Sequence, residues 1–238
     1  MPEDYFAGRV AERYDETSSE MFDPALVGPT VDFLVKLADD GPVLEFAIGT
    51  GRIALPLSQR GVHVSGIDLS RDMVAQLRAK PGGVDIPVAI GDYGTTRVEG
   101  TFSLVYLVWN GINNQTTQEA QLASFQNAAA HLGPGGCFVV EVGTPAADPL
   151  RVFALTDTHV GVDEYDAASQ RLVSHHFRLL DGCWERLSMP FRSVSPGELD
   201  LMARLAGMRL RERYGGWKCE PFTIESRKHV SVWEKVEA

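Results

Sequence analysis

Residues 43–52 read V-L-E-F-A-I-G-T-G-R, an apolar run broken by one acid and closed by a turn of small residues. That stretch constrains the chain more than any other. A short apolar run is a buried strand, and the turn after it lets a ligand approach the backbone because little side chain stands in the way. Ile53, Leu55 and Leu57 then offer apolar surface for a helix that stops at Gly61. Its free N–H groups and positive dipole end would point into the turn. A second strand, Val62 to Asp68 (V-H-V-S-G-I-D), ends in a carboxylate seventeen residues beyond Gly51. Strand, turn, helix, strand and terminal acid make the layout of a nucleoside-binding unit.

A dinucleotide fingerprint wants G-x-G-x-x-G, but its three places hold Ala47, Gly49 and Arg52. The third Gly, which lets helix and strand pack closely under a pyrophosphate, is missing. Glu45 to Gly51 instead reads E-x-A-x-G-x-G. It resembles motif I of the class I S-adenosylmethionine-dependent methyltransferases, usually D/E-x-G-x-G-x-G, with Ala47 in place of the first Gly. Three more segments follow in the family's order. Asp68-Leu69-Ser70, with Met73 behind it, resembles the ribose-binding segment. Gly91-Asp92-Tyr93 closes a third strand (Ile86–Ile90). Leu132-Gly133-Pro134-Gly135-Gly136 resembles the L-x-P-G-G turn before strand five (Cys137–Val142).

The resemblance covers residues 40 to 143 and implies S-adenosylmethionine as cofactor. It implies that Glu45, Ala47, Gly49 and Gly51 form the cradle and that Asp68 accepts from both ribose hydroxyls, beside Leu69 and Met73. It further implies that Gly91, Asp92 and Tyr93 meet the adenine, the acid accepting from its amino group. At the exit of strand four (Phe102–Trp109), Val108, Trp109 and Asn110 would touch the methionine part and face the acceptor. Asn113 and Asn114 either orient the acceptor or serve an Asn-rich turn. Tyr14, in an R-Y-D segment, resembles the N-terminal tyrosine that relatives fold over the cofactor carboxylate; it is equally readable as a packing aromatic. Arg52 either meets the same carboxylate or lies on a helix surface.

A chain of 238 residues suits one large unit with a substantial core. Its net charge of −10, from 32 acids against 22 bases, argues against a broad grip on nucleic acid. Three scattered cysteines, Cys137, Cys183 and Cys219, suit a reducing compartment, and no metal-ligand spacing occurs. The N-terminus is acidic and polar, and no apolar run reaches the ~20 residues of a membrane span. A cytoplasmic protein without a membrane segment is expected; the oligomeric state is left open.

Along the chain, residues 4–17 suit a helix, and residues 1–40 a helical cap with a second helix ending at Leu37. Strands then alternate with helices at 70–79 and 118–132, which implies an α/β, doubly wound, mostly parallel sheet. Residues 144–168 look loop-like, with Pro145 and Pro149. Arg171–Leu180 and Cys183–Val194 form a hairpin around Asp181-Gly182. A helix from Pro196 to Ala206 and strands 208–214 and 229–236 complete the expected seven-stranded Rossmann-like core, its last strand antiparallel. Region 144–194 is then an insertion after strand five, a lid with an antiparallel hairpin.

The catalytic residues are unknown from the sequence; Asn110, His175 and His176 are candidates. The two histidines are adjacent on a strand and point to opposite faces. Val173, Phe177 and Leu179, with Leu187 and Met189 as partners, are expected to pack downward. Each histidine is more readily a structural residue than a base. N-P-P-[YF] is absent after strand four, where V-W-N-G stands, which weakens DNA-adenine or protein-glutamine methylation. The expected function is methyl transfer from S-adenosylmethionine to a small molecule, at O, N or C. The alternatives are a nicotinamide-dependent reductase, which lacks its Y-x-x-x-K pair here, and a binding protein without turnover.

Overall fold

The computed structural model describes residues 3–145 and 148–236. Two sheets organise them. The first has seven strands: β1 (Val43–Phe46), β2 (Val64–Asp68), β3 (Val88–Ile90), β4 (Phe102–Leu107), β5 (Leu132–Gly143), β10 (Met208–Tyr214) and β11 (Lys228–Lys235), in the order β10-β11-β5-β4-β1-β2-β3. The second is antiparallel, β6 (Leu150–Leu155), β7 (His159–Asp166), β8 (Arg171–Leu180) and β9 (Cys183–Arg192), in sequence order. In the large sheet only β11 runs against its neighbours, between β5 and β10. The strand order turns back between β1 and β4, and the crevice beyond their carboxyl ends is where such sheets hold ligands.

The helices are α1 (Arg9–Thr17), α2 (Pro24–Ala38), α3 (Ala54–Gln59), α4 (Arg71–Arg78), α5 (Gln118–His131) and α6 (Pro196–Leu205). Four start on side-chain caps that satisfy free N–H groups. Asp23 accepts from Ala25 N–H, Ser70 from Met73, Thr117 from Ala120 and Ser195 from Glu198. Alternate strand residues feed two cores. Leu44, Phe46, Phe138 and Trp233 pack with α5 and α6, while Val43, Leu104 and Val139 pack with α2 and α3.

The expected elements stand within a few residues, with three differences. First, α1 begins only at Arg9, because residues 5–8 run as turns and a bend. Second, the L-G-P-G-G segment is itself the start of β5, where the pairing with β4 slips between Phe102 and Leu104. Third, residues 150–155 and 159–166 are strands, so the expected hairpin is a four-stranded sheet. Their apolar residues are scattered rather than alternating, which hid them behind the prolines; Ala146 and Ala147 lie outside the described residues.

The small sheet is joined to the helices that cover the large one by a buried ion pair. Arg192, at the end of β9, donates to Glu198 of α6 at 2.6 Å, to Gln170 at 2.5 Å and to Gln121 of α5. Removing the arginine would leave a buried carboxylate without its partner, so Arg192→Leu is expected to cost about 3–5 kcal/mol in urea unfolding. A loss under about 1 kcal/mol would show that the joint is not structural.

Glu45 also belongs to the fold. It is 3 % exposed inside β1 and accepts the Tyr106 hydroxyl of β4 at 2.7 Å. Burial raises its pKa to about 8, against the opposing pull of that bond and of Arg52. Because the folded-state value lies above the unfolded one, this group's contribution to stability is complete below about 4.5 and lost as pH rises to about 8. Thermal melts should therefore show Glu45→Gln flattening the decline in stability across that window. An unchanged pH slope would place the carboxyl elsewhere.

Candidate active site

The site grows from the carboxyl ends of β1, β2 and β4. β1 leads into a turn with Ala47, Gly49 and Gly51 at φ of 54°, 56° and 81°. Left-handed backbone suits glycine, so Ala47 carries strain where the methyltransferase motif has Gly. A Cβ on Gly51 would lie 2.3 Å from Leu77, which makes this glycine a packing requirement between turn and α4. At Gly49 the nearest atom to an added Cβ is the Met73 methyl at 3.4 Å.

Asp68 closes the turn from the other side. Its Oδ2 accepts the Gly49 N–H at 2.7 Å and its Oδ1 the Ser70 N–H at 2.8 Å. The carboxyl is 7 % exposed, and burial raises its pKa to about 6 in spite of both bonds. Each oxygen keeps a further lone pair for a ligand. Met73 is buried behind it, and Leu69 is partly exposed.

Gly91 N–H donates to the Asp68 carbonyl at 2.8 Å, which holds the β3 exit beside β2. Asp92 Oδ1 accepts from Gln115 at 2.7 Å and from Gly94 N–H at 2.8 Å. Tyr93 departs from expectation. It stacks on Phe46 in the core and donates to the Gly111 carbonyl at 2.7 Å, because its ring completes the packing under α5. Glu45 likewise lies within the sheet, bonded to Tyr106.

At the β4 exit Val108 is partly buried, and Trp109 and Asn110 are left-handed at φ 53° and 60°. Glu141 of β5 fixes them: its carboxylate accepts from Trp109 N–H at 3.1 Å and Lys228 Nζ at 2.7 Å. The Asn110 side chain is also engaged, its Oδ1 accepting Gly143 N–H at 2.6 Å. That bond ties the β4 exit to β5 and orients the Asn110 side chain through its oxygen alone. Asn113 is buried in the short 3-10 helix that follows, and its Oδ1 has no hydrogen-bond partner.

The N-terminal segment lies over this region. Gly8 N–H donates to Asp72 at 2.7 Å, and Ser70 Oγ to the Phe6 carbonyl at 3.3 Å. Thr50 Oγ donates to Asp15 of α1 at 2.7 Å; Lys80 Nζ pairs with the same carboxylate and donates to the Thr50 carbonyl. Tyr14 sits near enough to feel Arg52 and Asp68, and desolvation raises its pKa. Arg52 stacks over the Trp109 ring at 5.1 Å and donates to the Met21 carbonyl at 3.4 Å. Sequence reasoning missed Lys80 and Thr50, since a lysine beyond a helix carries no motif.

Sheet pairing separates the histidines. His176 lies opposite Gly161 and Leu187, and Ser174 opposite Met189, so Leu187 and Met189 share the His176 face. The expectation that they join Val173, Phe177 and Leu179 is overturned by that register. His176 Nδ1 and His159 Nε2 share a hydrogen bond at 3.1 Å between nearly parallel rings, and His176 Nε2 is 3.4 Å from Ser174 Oγ. Burial, then Arg178, lowers the His176 pKa to about 4. Ser174, Met189 and Gly161 on this face are buried, whereas Leu155 and Trp184 on the opposite face are exposed, so this is the face turned toward the rest of the chain. His175 is on the other face, bonded to Ser188 at 2.8 Å. A groove lined by Lys36, Ser103, Pro134 and Arg211 opens at the opposite end of the strands and touches none of these groups.

Among the described residues no helix is long and apolar enough to cross a membrane. A methyltransferase-domain family model matches residues 43–136, the span from β1 into β5. The solved CcbJ methyltransferase of Streptomyces caelestis is 31% identical, with a TM-score of 0.89 and full coverage of both chains. The cypemycin N-terminal methyltransferase of a Streptomyces species is 26% identical over 93% of this chain and 97% of its own. A dTDP-3-amino-3,4,6-trideoxy-alpha-D-glucopyranose N,N-dimethyltransferase of Streptomyces venezuelae is 26% identical over 78% of this chain and 79% of its own. These likenesses set aside the nicotinamide-dependent reductase. With its sheet order, its glycine turn and its acid after β2, the chain belongs to the class I S-adenosylmethionine-dependent methyltransferases.

Proposed function

We propose that the chain methylates an amine nitrogen of a small acceptor, and that the small sheet, within region 144–194, is the lid that holds this acceptor. Bound at the turn, S-adenosylmethionine supplies an electrophilic methyl group on a sulfonium. The donor set fits it: Asp68 offers one lone pair per oxygen to a ribose diol, Asp92 keeps Oδ2 for an adenine amino group, and the turn at Gly49 leaves room for close approach. Leu69 and Met73 would flank the nucleoside, while Tyr14, Arg52, Val108 and Trp109 would border the amino-acid end. Glu45 and Tyr93 support this wall from beneath.

The observation that carries the amine reading is the His159–His176 pair on the inward face of the small sheet. With its pKa near 4, His176 is neutral at pH 7. It cannot remove a proton from an ammonium group with a pKa near 8. It can accept an N–H from an amine that arrives neutral, and it adds no positive charge beside a sulfonium. Positioning then supplies most of the rate, and the new ammonium proton leaves to solvent afterwards. Two relatives bear names that specify amines, an N-terminus and an amino sugar, which supports the same reading. The acidic charge balance favours a small acceptor over nucleic acid, and scattered free thiols favour the cytoplasm.

Methyl transfer from labelled cofactor to a panel of small amines, alcohols and carbon acids tests this. The pH dependence of kcat/KM should follow the acceptor amine's own pKa. His176→Asn should lower kcat/KM without moving that limb, while His175→Ala leaves transfer unchanged. Methylation confined to oxygen or carbon would refute the amine assignment. S-adenosylhomocysteine binding with no acceptor turned over would favour a binding protein.

Asp68→Ala is expected to weaken S-adenosylhomocysteine binding by about 2–3 kcal/mol in calorimetry. It should also lower the melting temperature, since the Gly49 and Ser70 N–H groups lose their acceptor. Unchanged affinity would remove Asp68 from the cofactor site.

A further inference from the structure

The small sheet turns one face, with Ser174 and His176, inward against the rest of the chain. Its other face is largely apolar, with Glu164 and Arg186 among the apolar residues. Leu155 is 77 % exposed there, Leu150 59 %, Val152 57 % and Trp184 54 %, with Val162 and Phe177 partly exposed between them. The pairing puts these on one side: Leu150 beside Glu164, Val152 beside Val162, His175 between Val162 and Ser188, and Trp184 beside Leu179. Among the described residues no helix is laid on this face. A contiguous apolar patch of this kind marks an interaction surface.

We propose that a second copy of the chain docks here, the two small sheets face to face about a two-fold axis through His175. The charges on the face select this partner. Glu164 lies one strand to one side of β8, level with Val173, two residues before His175. Arg186 lies one strand to the other side, level with Phe177, two residues after it. They are therefore displaced equally and oppositely from His175. A two-fold axis in the plane of the face, through His175 and across the line joining the charges, lays each Glu164 over the partner's Arg186. Arg186 has no acidic partner in its own chain among the described residues, and Glu164 has only His175 Nε2 at 3.7 Å.

The same operation brings apolar groups together. Phe177 falls over the partner's Val162, and Leu155 close to its own copy. Sheets related this way cross steeply, in the orthogonal mode of packing. Four strands of this length present a face of roughly 500 Å² per copy, and a pair buries on the order of 1,000 Å², the lower bound for a stable interface. No active-site group is used, so the pairing stands or falls independently of the acceptor's identity.

Sedimentation equilibrium at micromolar concentration tests it. The wild-type chain should be a dimer. Glu164→Arg alone and Arg186→Glu alone should each weaken the dimer at least tenfold, by setting like charges face to face. The double exchange, E164R with R186E, should restore it, while melting temperature and S-adenosylhomocysteine binding stay at wild-type values in all three. A monomeric wild type would overturn the proposal. So would a wild-type monomer that pelleted with phosphatidylcholine vesicles, which would reassign the face to a lipid surface. A dimer indifferent to the single exchanges, or not recovered in the double, would overturn it too.

Discussion

One carboxylate fixes the geometry on which the rest depends. Asp68 accepts from Gly49 on one side and Ser70 on the other, so a single side chain sets the turn after β1 and the start of α4 together. Both bonds come from backbone N–H groups, and both favour the charged form. Burial outweighs them and leaves the pKa near 6. The acid is thus ionised at neutral pH but poorly solvated, a state in which added donors from a ligand are worth more than they would be in water. Gly51 completes the arrangement because only a missing Cβ lets the turn lie against Leu77.

Around that centre the attachments differ in strength, and this shapes the dynamics. The small sheet is joined to α5 and α6 through Arg192, which is almost wholly buried and paired with Glu198. Its far tip is tied to α1 by Arg9 and Arg13 on Asp181 and Glu185, exposed and solvent-screened pairs that hold weakly. A firm joint at one end and a weak latch at the other let the tip of the small sheet part from α1 more readily than its base parts from α5 and α6. The α1 helix in turn holds the turn through the Thr50–Asp15–Lys80 cluster.

The large sheet was legible in the sequence because its signals are local. Apolar strands, the turn of small residues and the L-G-P-G-G segment each carry their own backbone requirement. The acid after β2 was legible for the same reason. Side-chain orientation was less so. Tyr93 and Asn110 sit where the family resemblance put them, yet one faces the core and the other bonds Gly143, since tertiary packing decides which way a loop residue turns. β6 and β7 escaped because a bulge between Val152 and Ala154 breaks the alternation of β6 and Glu164 interrupts that of β7. The face assignment of Leu187 and Met189 failed on register, which the sequence of a hairpin fixes only through its turn. The His159–His176 contact joins two strands, one of which looked like loop.

The central claim is that the cofactor lies between the Gly49–Asp68 turn and the N-terminal segment. Hydrogen exchange with and without S-adenosylhomocysteine tests it directly, because the amides that would be covered are known. Added protection is expected at residues 47–52, 66–73 and 4–15, with the groove around Lys36 and Arg211 unchanged. Protection absent from the turn, or appearing at that groove instead, would contradict it.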